Sequence, residues 1–390
     1  MTAHEFDVHG MQHCPLMPTY GPPQVMFVRG KGTELWDSNG KHYLDFLSGL
    51  AVTSLGHANV AVAEAISHQA NTLLHVSNLF ANDNAWDVAV TIDRLNGGGG
   101  QVFFANSGAE ANECAIKLAR KWGGRGKFAV ISAYGSFHGR TLATLHATGQ
   151  PAKHESFQPL PDGFRHAAWN DLAAFEAAIS PEVAAILLEP VQGEGGVNPA
   201  DVDFFRGIRK LCDERGLLFM VDEVQTGFAR TGEWFGYQHY GIQPDVVTMA
   251  KALGNGFPIG ACWARREVAA AFKPGDHATT YGGTPLATAA AAAVLGEMER
   301  LDAPRLAARR AAELTEALLP VPGVKEVRGL GLLIAVELDG HEAKPVADEL
   351  LRRGLVVNAV TASALRLAPP ITVSSAEIAA AVQLIREVLS

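Results

Sequence analysis

The middle of the chain alternates short apolar runs with helical stretches, and this alternation constrains the fold more than any other feature of the sequence. Helical segments such as Asp171–Ile179 and Asp203–Arg215 lie between runs that have the length of buried strands. These runs, each bounded by glycine, proline or charged residues, are Val102–Ala105, Phe128–Ser132, Ala184–Leu188, Leu217–Val221 and Val246–Met249. Short buried strands that alternate with helices predict an α/β fold with a mostly parallel sheet covered by helices.

The last ninety residues follow a different pattern and predict a smaller α/β domain. Ser374 and Glu377 have the spacing of a capping box and predict the start of a final helix. The elements expected before it are a helix over Pro304–Leu319, strands over Val324–Arg328 and Leu332–Leu338, a helix over Lys344–Arg353, and strands near Val356 and Leu365. We expect residues 1–45 to pack with this small domain (296–390), and residues 46–295 to form the large domain that binds a cofactor.

Length and composition exclude several classes of protein. A chain of 390 residues is long enough for two or three domains. The net charge of −9, with no basic stripe, gives no support for a nucleic-acid partner. No uninterrupted apolar stretch reaches the ~18 residues of a membrane span. The four cysteines lie far apart in sequence and do not match a zinc site, so we expect reduced thiols. The N-terminus resembles neither a signal peptide nor a transit peptide, and both features favour a location in the cytoplasm.

Ser107 and Gly108 come directly after the predicted strand Val102–Ala105 and open an amphipathic helix. A strand, a turn of small residues and a helix N-terminus together form an anion site, because free backbone N–H groups point at the turn. Ser107 and Glu110 also fit a capping box, so the alternative is that Ser107 only caps the helix.

Asp222 and Lys251 each follow a buried strand. In folds of this kind, ligands bind at the carboxyl ends of the parallel strands. A partly buried carboxylate there needs a cationic partner, and low polarity favours the neutral, nucleophilic form of a lysine. The alternatives are that Asp222 caps a helix and that Lys251 extends its amine to solvent.

Together these positions supply an anion site, a carboxylate and a buried lysine, which are the groups that pyridoxal phosphate requires. Asp222 would keep the ring nitrogen protonated, and Lys251 would form the imine with the cofactor and later act as general base. Competing cofactors lack their motifs, since Gly254, Gly256 and Gly260 do not match G-x-G-x-x-G and no P-loop occurs. No metal site is expected.

Nearly the whole chain resembles the class III (ornithine/acetylornithine) aminotransferases, which have the type I fold of pyridoxal-phosphate enzymes. The segments that carry the resemblance are Leu55–His57, Phe104–Glu113, Phe137–Thr141, Glu189–Gly196, Asp222–Gly227, Ala250–Leu253, Phe257–Ala261 and Thr279–Gly283.

The resemblance implies a role for each site residue. For the cofactor, it implies that Ser107, Gly108 and the partner subunit's Thr280 bind the phosphate, that Phe137 and Val224 flank the ring, and that the segment Asp222, Glu223, Val224 and Gln225 contacts it. Within that segment, Asp222 would pair with the ring nitrogen and Gln225 with the ring hydroxyl. For the substrates, it implies that Arg140, with Thr279 nearby, binds a distal carboxylate, and that Arg366 binds the α-carboxylate of glutamate and otherwise pairs with Glu194.

The expected activity is transfer of the δ-amine of N2-acetyl-L-ornithine to 2-oxoglutarate by a homodimer with shared active sites, as in arginine biosynthesis. Ornithine, succinylornithine, succinyldiaminopimelate and 4-aminobutyrate are alternative amine donors. The sequence departs from the family pattern at Pro22, Asn255, Ala278, Tyr281 and Thr284. Tyr281 and Thr284 are expected beside the substrate and the subunit boundary, so they bear on the substrate more than on the reaction type.

Overall fold

The computed structural model describes residues 16–390, so the predicted segment 1–45 lies within the described residues only from position 16 onward. The first elements form an antiparallel meander of three strands followed by helices. They are β1 (Phe27–Lys31), β2 (Glu34–Asp37), β3 (His42–Asp45), a single left-handed turn α1 (Ser48–Ala51), α2 (Val60–Ala70) and α3 (Asp83–Leu95).

The central part of the chain alternates strands and helices, as the sequence predicts. Its strands are β4 (Gly100–Ala105), β5 (Ala129–Ala133), β6 (Phe164–Ala167), β7 (Val183–Leu188), β8 (Val191–Gln192), β9 (Asn198–Pro199), β10 (Leu218–Asp222), β11 (Val246–Met249) and β12 (Gly260–Arg265). Its helices are α4 (Gly108–Gly123), α5 (Leu142–Ala147), α6 (Leu172–Ala178), α7 (Val202–Arg215), α8 (Arg266–Ala269) and α9 (Pro285–Arg300).

Seven of these strands form the main sheet, in the order β4-β12-β11-β10-β7-β5-β6. Strands β5, β7, β10 and β11 are buried along their whole length, which explains their nearly continuous apolar sequences. The exception to parallel pairing is β12, which the strand prediction missed and which is antiparallel to both β11 and β4. Only a short connection without a crossover helix links β11 to β12, and such a connection permits antiparallel pairing.

The C-terminal part contains the predicted elements of the small domain. They are α10 (Ala303–Leu318), β13 (Val324–Leu330), β14 (Leu333–Leu338), α11 (Ala343–Arg353), β15 (Leu355–Val356), β16 (Asn358–Ala359), β17 (Ala364–Leu367) and α12 (Ser375–Leu389). Both hydrogen bonds of the capping box predicted at Ser374 and Glu377 are present. Strands β13, β14, β17 and β16 form an antiparallel sheet, whereas β15 pairs in parallel with β3, so the two ends of the described chain build one unit.

Arg230, in the loop that follows β10 of the main sheet, connects that loop to this unit. Its side chain is completely buried, and it donates hydrogen bonds to Ser54 Oγ at 2.8 Å, to the Leu332 carbonyl at 3.2 Å and to the Pro369 carbonyl. Burial lowers the pKa of Arg230 to about 10. These bonds fix the chain around β17 relative to the loop that follows β10.

No helix among residues 16–390 is long and apolar enough to cross a membrane.

Candidate active site

A cavity of about 310 Å³ opens at the carboxyl edge of the main sheet. It is lined by residues that follow four parallel strands, β4, β7, β10 and β11, and by the loop after β5. Ligands of open α/β sheets bind at this edge. The cavity brings together Ser107, Gly108, Phe137, Asp222, Val224, Gln225 and Lys251, and Glu194 lies on its wall.

The turn before α4 forms one end of the cavity. Ser107 caps the helix, because its hydroxyl accepts a hydrogen bond from Glu110 N at 3.2 Å. The reciprocal bond of the predicted capping box, from Ser107 N to the Glu110 carboxylate, is not formed. That carboxylate accepts a hydrogen bond from the preceding residue instead, from Asn106 N at 2.8 Å. A methyl group at Gly108 would lie 2.7 Å from Val224 Cγ1, so only glycine fits beside Val224 here. First-turn amides of a 16-residue helix therefore face the cavity at a position without a side chain.

Asp222 is 4% exposed and is held by three donors. Asn112 Nδ2 and His138 Nδ1 each lie 2.8 Å from Asp222 Oδ2, and Val224 N donates to Oδ1 at 3.0 Å. Asn112 is itself fixed by Thr248 on β11, whose hydroxyl donates to the amide oxygen at 2.7 Å. An ionised carboxylate only accepts hydrogen bonds, so Nδ1 of His138 carries the proton in this pair.

Lys251 begins a short 3-10 helix, Lys251–Leu253, directly after β11. Its φ of 45° lies in the left-handed region, which costs a non-glycine residue ~1–3 kcal/mol and occurs mainly at functional sites. Burial lowers the pKa of Lys251 to about 8; the Glu194 carboxylate opposes this shift and the Arg366 guanidinium adds to it. The amine therefore loses its proton at a lower pH than an ordinary lysine.

Glu194 and Arg366 form an ion pair, with Arg366 NH1 2.5 Å from Glu194 Oε1. Arg366 is 1% exposed and also contacts Asn358 Oδ1 at 3.1 Å and the Gly193 carbonyl at 3.2 Å. Burial would raise the pKa of Glu194, but the charge and the hydrogen bond of Arg366, together with the charge of Lys251, hold that pKa below the ordinary value. Glu194, on a glycine-rich loop, is the more exposed partner of the pair.

The site also contains polar groups that lack partners. Both side-chain polar atoms of Gln225 are buried without a hydrogen bond among residues 16–390, and so is Nε2 of His138. Buried polar atoms nearly always have a partner, and Gln225 lines the cavity, so its amide is available to a bound molecule. An anion cradle, a fixed carboxylate, a lysine and a free amide fit the phosphate, ring nitrogen, aldehyde and hydroxyl of pyridoxal phosphate.

The structure places Glu223 elsewhere, although the sequence analysis groups it with the cofactor contacts. Its carboxylate turns away from the cavity and accepts hydrogen bonds from Thr226 Oγ1 at 2.5 Å, Gly236 N at 2.9 Å and Tyr237 N at 2.7 Å. Burial raises the pKa of Glu223 to about 7. Glu223 therefore stabilises the loop that follows β10.

Three predicted substrate or phosphate residues lie outside the cavity wall. Arg140 is exposed at the rim, with its guanidinium carbon 5.5 Å from the centre of the Phe137 ring. Thr279 accepts a hydrogen bond from Asn106 Nδ2 at 3.2 Å, next to the cradle. Thr280 is exposed and lines no part of the cavity of its own chain.

Glu189, Asn112 and His138 also belong to the site, although the sequence analysis gives them no role. Glu189 directly follows β7, much as Asp222 ends β10, and it accepts a hydrogen bond from Phe137 N at 3.1 Å. Burial and the nearby charge of Asp222 raise the pKa of Glu189 well above its usual range. The rule that found Asp222, an acid at the end of a buried strand, would have found Glu189 as well. Asn112 and His138 lie within motifs that carry the family resemblance.

Two departures from the family pattern have structural substitutes. Asn255 adopts a left-handed φ of 46°, which asparagine tolerates, and its side chain accepts from Leu55 N at 2.8 Å and donates to the Gly56 carbonyl at 3.1 Å. Thr284 caps α9 by accepting from Ala287 N at 3.4 Å. Neither residue removes a group from the cavity.

This fold, with a lysine and an aspartate at adjacent strand ends, defines a pyridoxal-phosphate-dependent aminotransferase of fold type I. The chain belongs to the class-III aminotransferase family, whose model matches residues 17–389. It is 48% identical over 386 residues to the acetylornithine aminotransferase of Caldanaerobacter subterraneus subsp. tengcongensis, covering 96% of this chain and 97% of that protein. It is 45% identical over 379 residues to the acetylornithine aminotransferase of Bacillus subtilis, covering 96% and 97%.

Solved structures give the same result. The N-acetylornithine aminotransferase of Stenotrophomonas maltophilia superposes with a TM-score of 0.83 at 34% identity, covering 95% of this chain and 96% of that one. An ornithine aminotransferase of Toxoplasma gondii superposes with a TM-score of 0.93 at 32% identity, covering 99% and 94%, and that structure has partial occupancy of pyridoxal phosphate at its active site.

The lowered pKa of Lys251 predicts a specific titration in protein freed of cofactor. The neutral fraction of Lys251 is small below pH 8 and rises through about pH 8, because the pKa is about 8. Competitive acetylation, quantified by mass spectrometry with exposed Lys210 as internal reference, should show half-maximal reactivity of Lys251 near that pH. Arg366→Gln should raise the midpoint, and Glu194→Gln should lower it. A wild-type midpoint above pH 10 would contradict this assignment.

Proposed function

We propose that this enzyme transfers the δ-amine of N2-acetyl-L-ornithine to 2-oxoglutarate, giving N-acetyl-L-glutamate 5-semialdehyde and L-glutamate, in arginine biosynthesis. The observation that carries the proposal is the Glu194–Arg366 pair on the wall of the cavity that contains Lys251. An arginine whose charge is covered by a glutamate suits an enzyme that must accept one substrate with a carboxylate beside the reacting amine and one without. The names of the relatives at 48% and 45% identity support the same donor.

We assign the cofactor contacts residue by residue. Lys251 bonds covalently to pyridoxal phosphate, the Ser107 and Gly108 amides and the partner subunit's Thr280 bind its phosphate, and Phe137 and Val224 flank its ring. Asp222 pairs with the ring nitrogen and Gln225 with the ring hydroxyl. Glu223 is left out of this set because its carboxylate is fully engaged outside the cavity. When bound, the cofactor withdraws electrons from the carbon that carries the amine.

The chain's own residues then control protons and charge. Asp222, held by Asn112 and His138, keeps a negative charge in place beside the ring nitrogen and so retains the proton there. Lys251, with a pKa of about 8, can accept a proton from the substrate carbon and return it near neutral pH. Burial around Lys251 limits exchange of this proton with water.

Two substrates share the cavity through the two arginines. Arg140 binds the distal carboxylate of either substrate, with Thr279 nearby. Arg366 binds the α-carboxylate of glutamate bidentately once Glu194 has moved aside, and Glu194 covers it when acetylornithine is bound. The ion pair seen here corresponds to the covered state.

We also propose a homodimer with shared active sites, in the cytoplasm. Three large apolar side chains are exposed around the segment of Thr280: Leu79 at 86%, Trp86 at 74% and Tyr281 at 64%. Tyr281 directly follows Thr280, and Leu79 and Trp86 lie close in sequence to residues that donate hydrogen bonds to this segment. A neighbouring groove of about 510 Å³, lined by Phe80, Trp86 and Val90 among others, adds apolar surface. Burial of such a patch against a second copy would stabilise the dimer.

The described cysteines Cys114, Cys212 and Cys262 are free thiols, which suits a reducing compartment such as the proposed cytoplasm, and Cys14 lies outside the described residues.

A panel of amine donors tests the proposed donor. Acetylornithine, ornithine, succinylornithine, succinyldiaminopimelate and 4-aminobutyrate are each supplied with 2-oxoglutarate, and the glutamate formed is measured. We expect the highest kcat/KM for acetylornithine, by about tenfold or more, which corresponds to ~1.4 kcal/mol of transition-state stabilisation. Preference for another donor would refute the substrate while leaving the reaction class intact.

Arg366→Ala should separate the two half-reactions. Losing the charged contact to the α-carboxylate should slow the glutamate half-reaction about 100-fold, because such hydrogen bonds contribute ~1.5–3 kcal/mol. The acetylornithine half-reaction should stay within about fivefold, whereas Arg140→Ala should slow both halves. Single-turnover absorbance changes of the cofactor follow each half. Exposed Arg305→Ala is the control, and equal losses in both halves for Arg366→Ala would rule out the switch.

Subunit mixing tests the shared site. We expect Lys251→Ala and Thr280→Val chains to be inactive or nearly so in their own homodimers. If Thr280 serves the partner's site, a mixed dimer contains one intact site, and an equal mixture recovers about a quarter of wild-type activity because half of the dimers are mixed. If activity stays at the level of the parent variants after subunit exchange has been verified by mass, Thr280 does not act across the boundary.

A further inference from the structure

Lys153 is a cation close to the cavity, outside its wall, and the proposed function gives it no role. It ends a 3-10 helix, Pro151–Lys153, and its ammonium donates a hydrogen bond to Gln150 Oε1. The side chain is partly buried. The Gln150 amide in turn donates to the Ser136 carbonyl at 2.9 Å, directly before Phe137 on the cavity wall.

Three segments with charged residues meet at this point. The loop Tyr134–Ser136 leads into Phe137 and Arg140, and Gln150 attaches the Lys153 segment to it. The segment of Glu194 is attached to the same loop, because Gln192 Nε2 donates to the Tyr134 carbonyl at 2.9 Å and a methyl group at Gly195 would lie 2.7 Å from the Gly135 oxygen. Arg140, Lys153 and Glu194 are therefore held by one small region of the rim.

The charges of these residues act on one another. Burial and the neighbouring charge of Arg140 lower the pKa of Lys153, and Glu194 opposes the shift. Glu194 is already paired with Arg366. Among residues 16–390, neither Arg140 nor Lys153 forms a salt bridge with a carboxylate. Two neighbouring cations without an acid between them repel each other, and an anionic ligand relieves that repulsion.

The possible donors differ in charge at the end that faces this rim. Ornithine has a carboxylate and a free α-ammonium there, so its distal end is neutral overall. Acylation of the α-amine removes the positive charge and leaves the carboxylate, so the distal end of acetylornithine carries −1. A second cation next to Arg140 repels the ammonium and attracts the carboxylate.

We propose that Lys153 is a specificity-determining residue that, together with Arg140, selects amine donors whose distal end carries a net negative charge over donors with a free α-ammonium. This inference rests on the proposed function for the identity of the donor, but its physical content is the charge at the distal end. Any ω-amine with a distal carboxylate and no α-ammonium should benefit from Lys153.

The test compares Lys153→Met, which removes the charge at similar size, with Lys153→Arg, which keeps it. Single-turnover rates per donor concentration are measured for acetylornithine, 5-aminopentanoate and ornithine; 5-aminopentanoate is ornithine without the α-ammonium. Lys153→Met should lower the preference for acetylornithine and for 5-aminopentanoate over ornithine about tenfold. Lys153→Arg should keep both preferences within about threefold, as should Lys210→Met, which removes an exposed lysine.

Binding without reaction gives a second measurement. N-acetyl-L-norvaline lacks the reacting amine, and its Kd for the holoenzyme, measured by calorimetry, should rise about tenfold in Lys153→Met and recover in Lys153→Arg. Unchanged donor preferences and an unchanged Kd in Lys153→Met would overturn the proposal. If wild-type enzyme does not use acetylornithine, the proposed donor fails, while the pair 5-aminopentanoate and ornithine still decides the role of Lys153.

Discussion

The hydrogen bonds to the buried carboxylate of Asp222 are the interaction on which the rest of the site depends. A carboxylate that is 4% exposed would cost several kcal/mol without partners. Asn112 from α4, His138 from the loop after β5 and the backbone of Val224 supply them. The bonds tie the helix that forms the anion cradle to the strand end that bears the acid, and the bond from Thr248 extends the tie to the strand before Lys251. One network thus fixes the groups proposed to hold the two ends of the cofactor.

The same burial distributes charge unequally among the neighbouring groups. Burial raises the pKa of Glu189 well above its usual range, and the nearby charge of Asp222 adds to the shift. Burial opposes ionisation of Glu194 as well, but Arg366 at 2.5 Å and the charge of Lys251 keep the pKa of Glu194 lowered. Lys251 lies among these groups, and desolvation brings its pKa to about 8. We therefore propose separate tasks for these groups: Asp222 would serve the cofactor ring, and the Glu194–Arg366 pair would govern the choice of substrate.

Patterns along the sequence predicted those parts of the structure that depend on local periodicity. The apolar runs correctly predicted strands β4, β5, β7, β10 and β11, and the ends of these strands indicated Asp222 and Lys251 as candidate site residues. The antiparallel β12 was missed because it follows a loop without a helical pattern, so the alternation of strands and helices did not indicate it. Glu223 shows a second limit: adjacent residues at a strand end point in different directions, so its neighbours Asp222 and Val224 reach the cavity and it does not. Partners such as Asn112, 110 positions from Asp222, are determined by tertiary packing alone.

The most direct test of this account is the substitution Asp222→Asn, which keeps the shape of the side chain and removes its charge. We predict that the variant retains the cofactor, measured by absorbance after gel filtration, and that the single-turnover rate with acetylornithine falls about 1,000-fold, or ~4 kcal/mol of barrier. Exposed Asp213→Asn on α7 is the matched control. A rate for Asp222→Asn within tenfold of wild type would contradict the claim that this carboxylate holds the proton of the ring nitrogen.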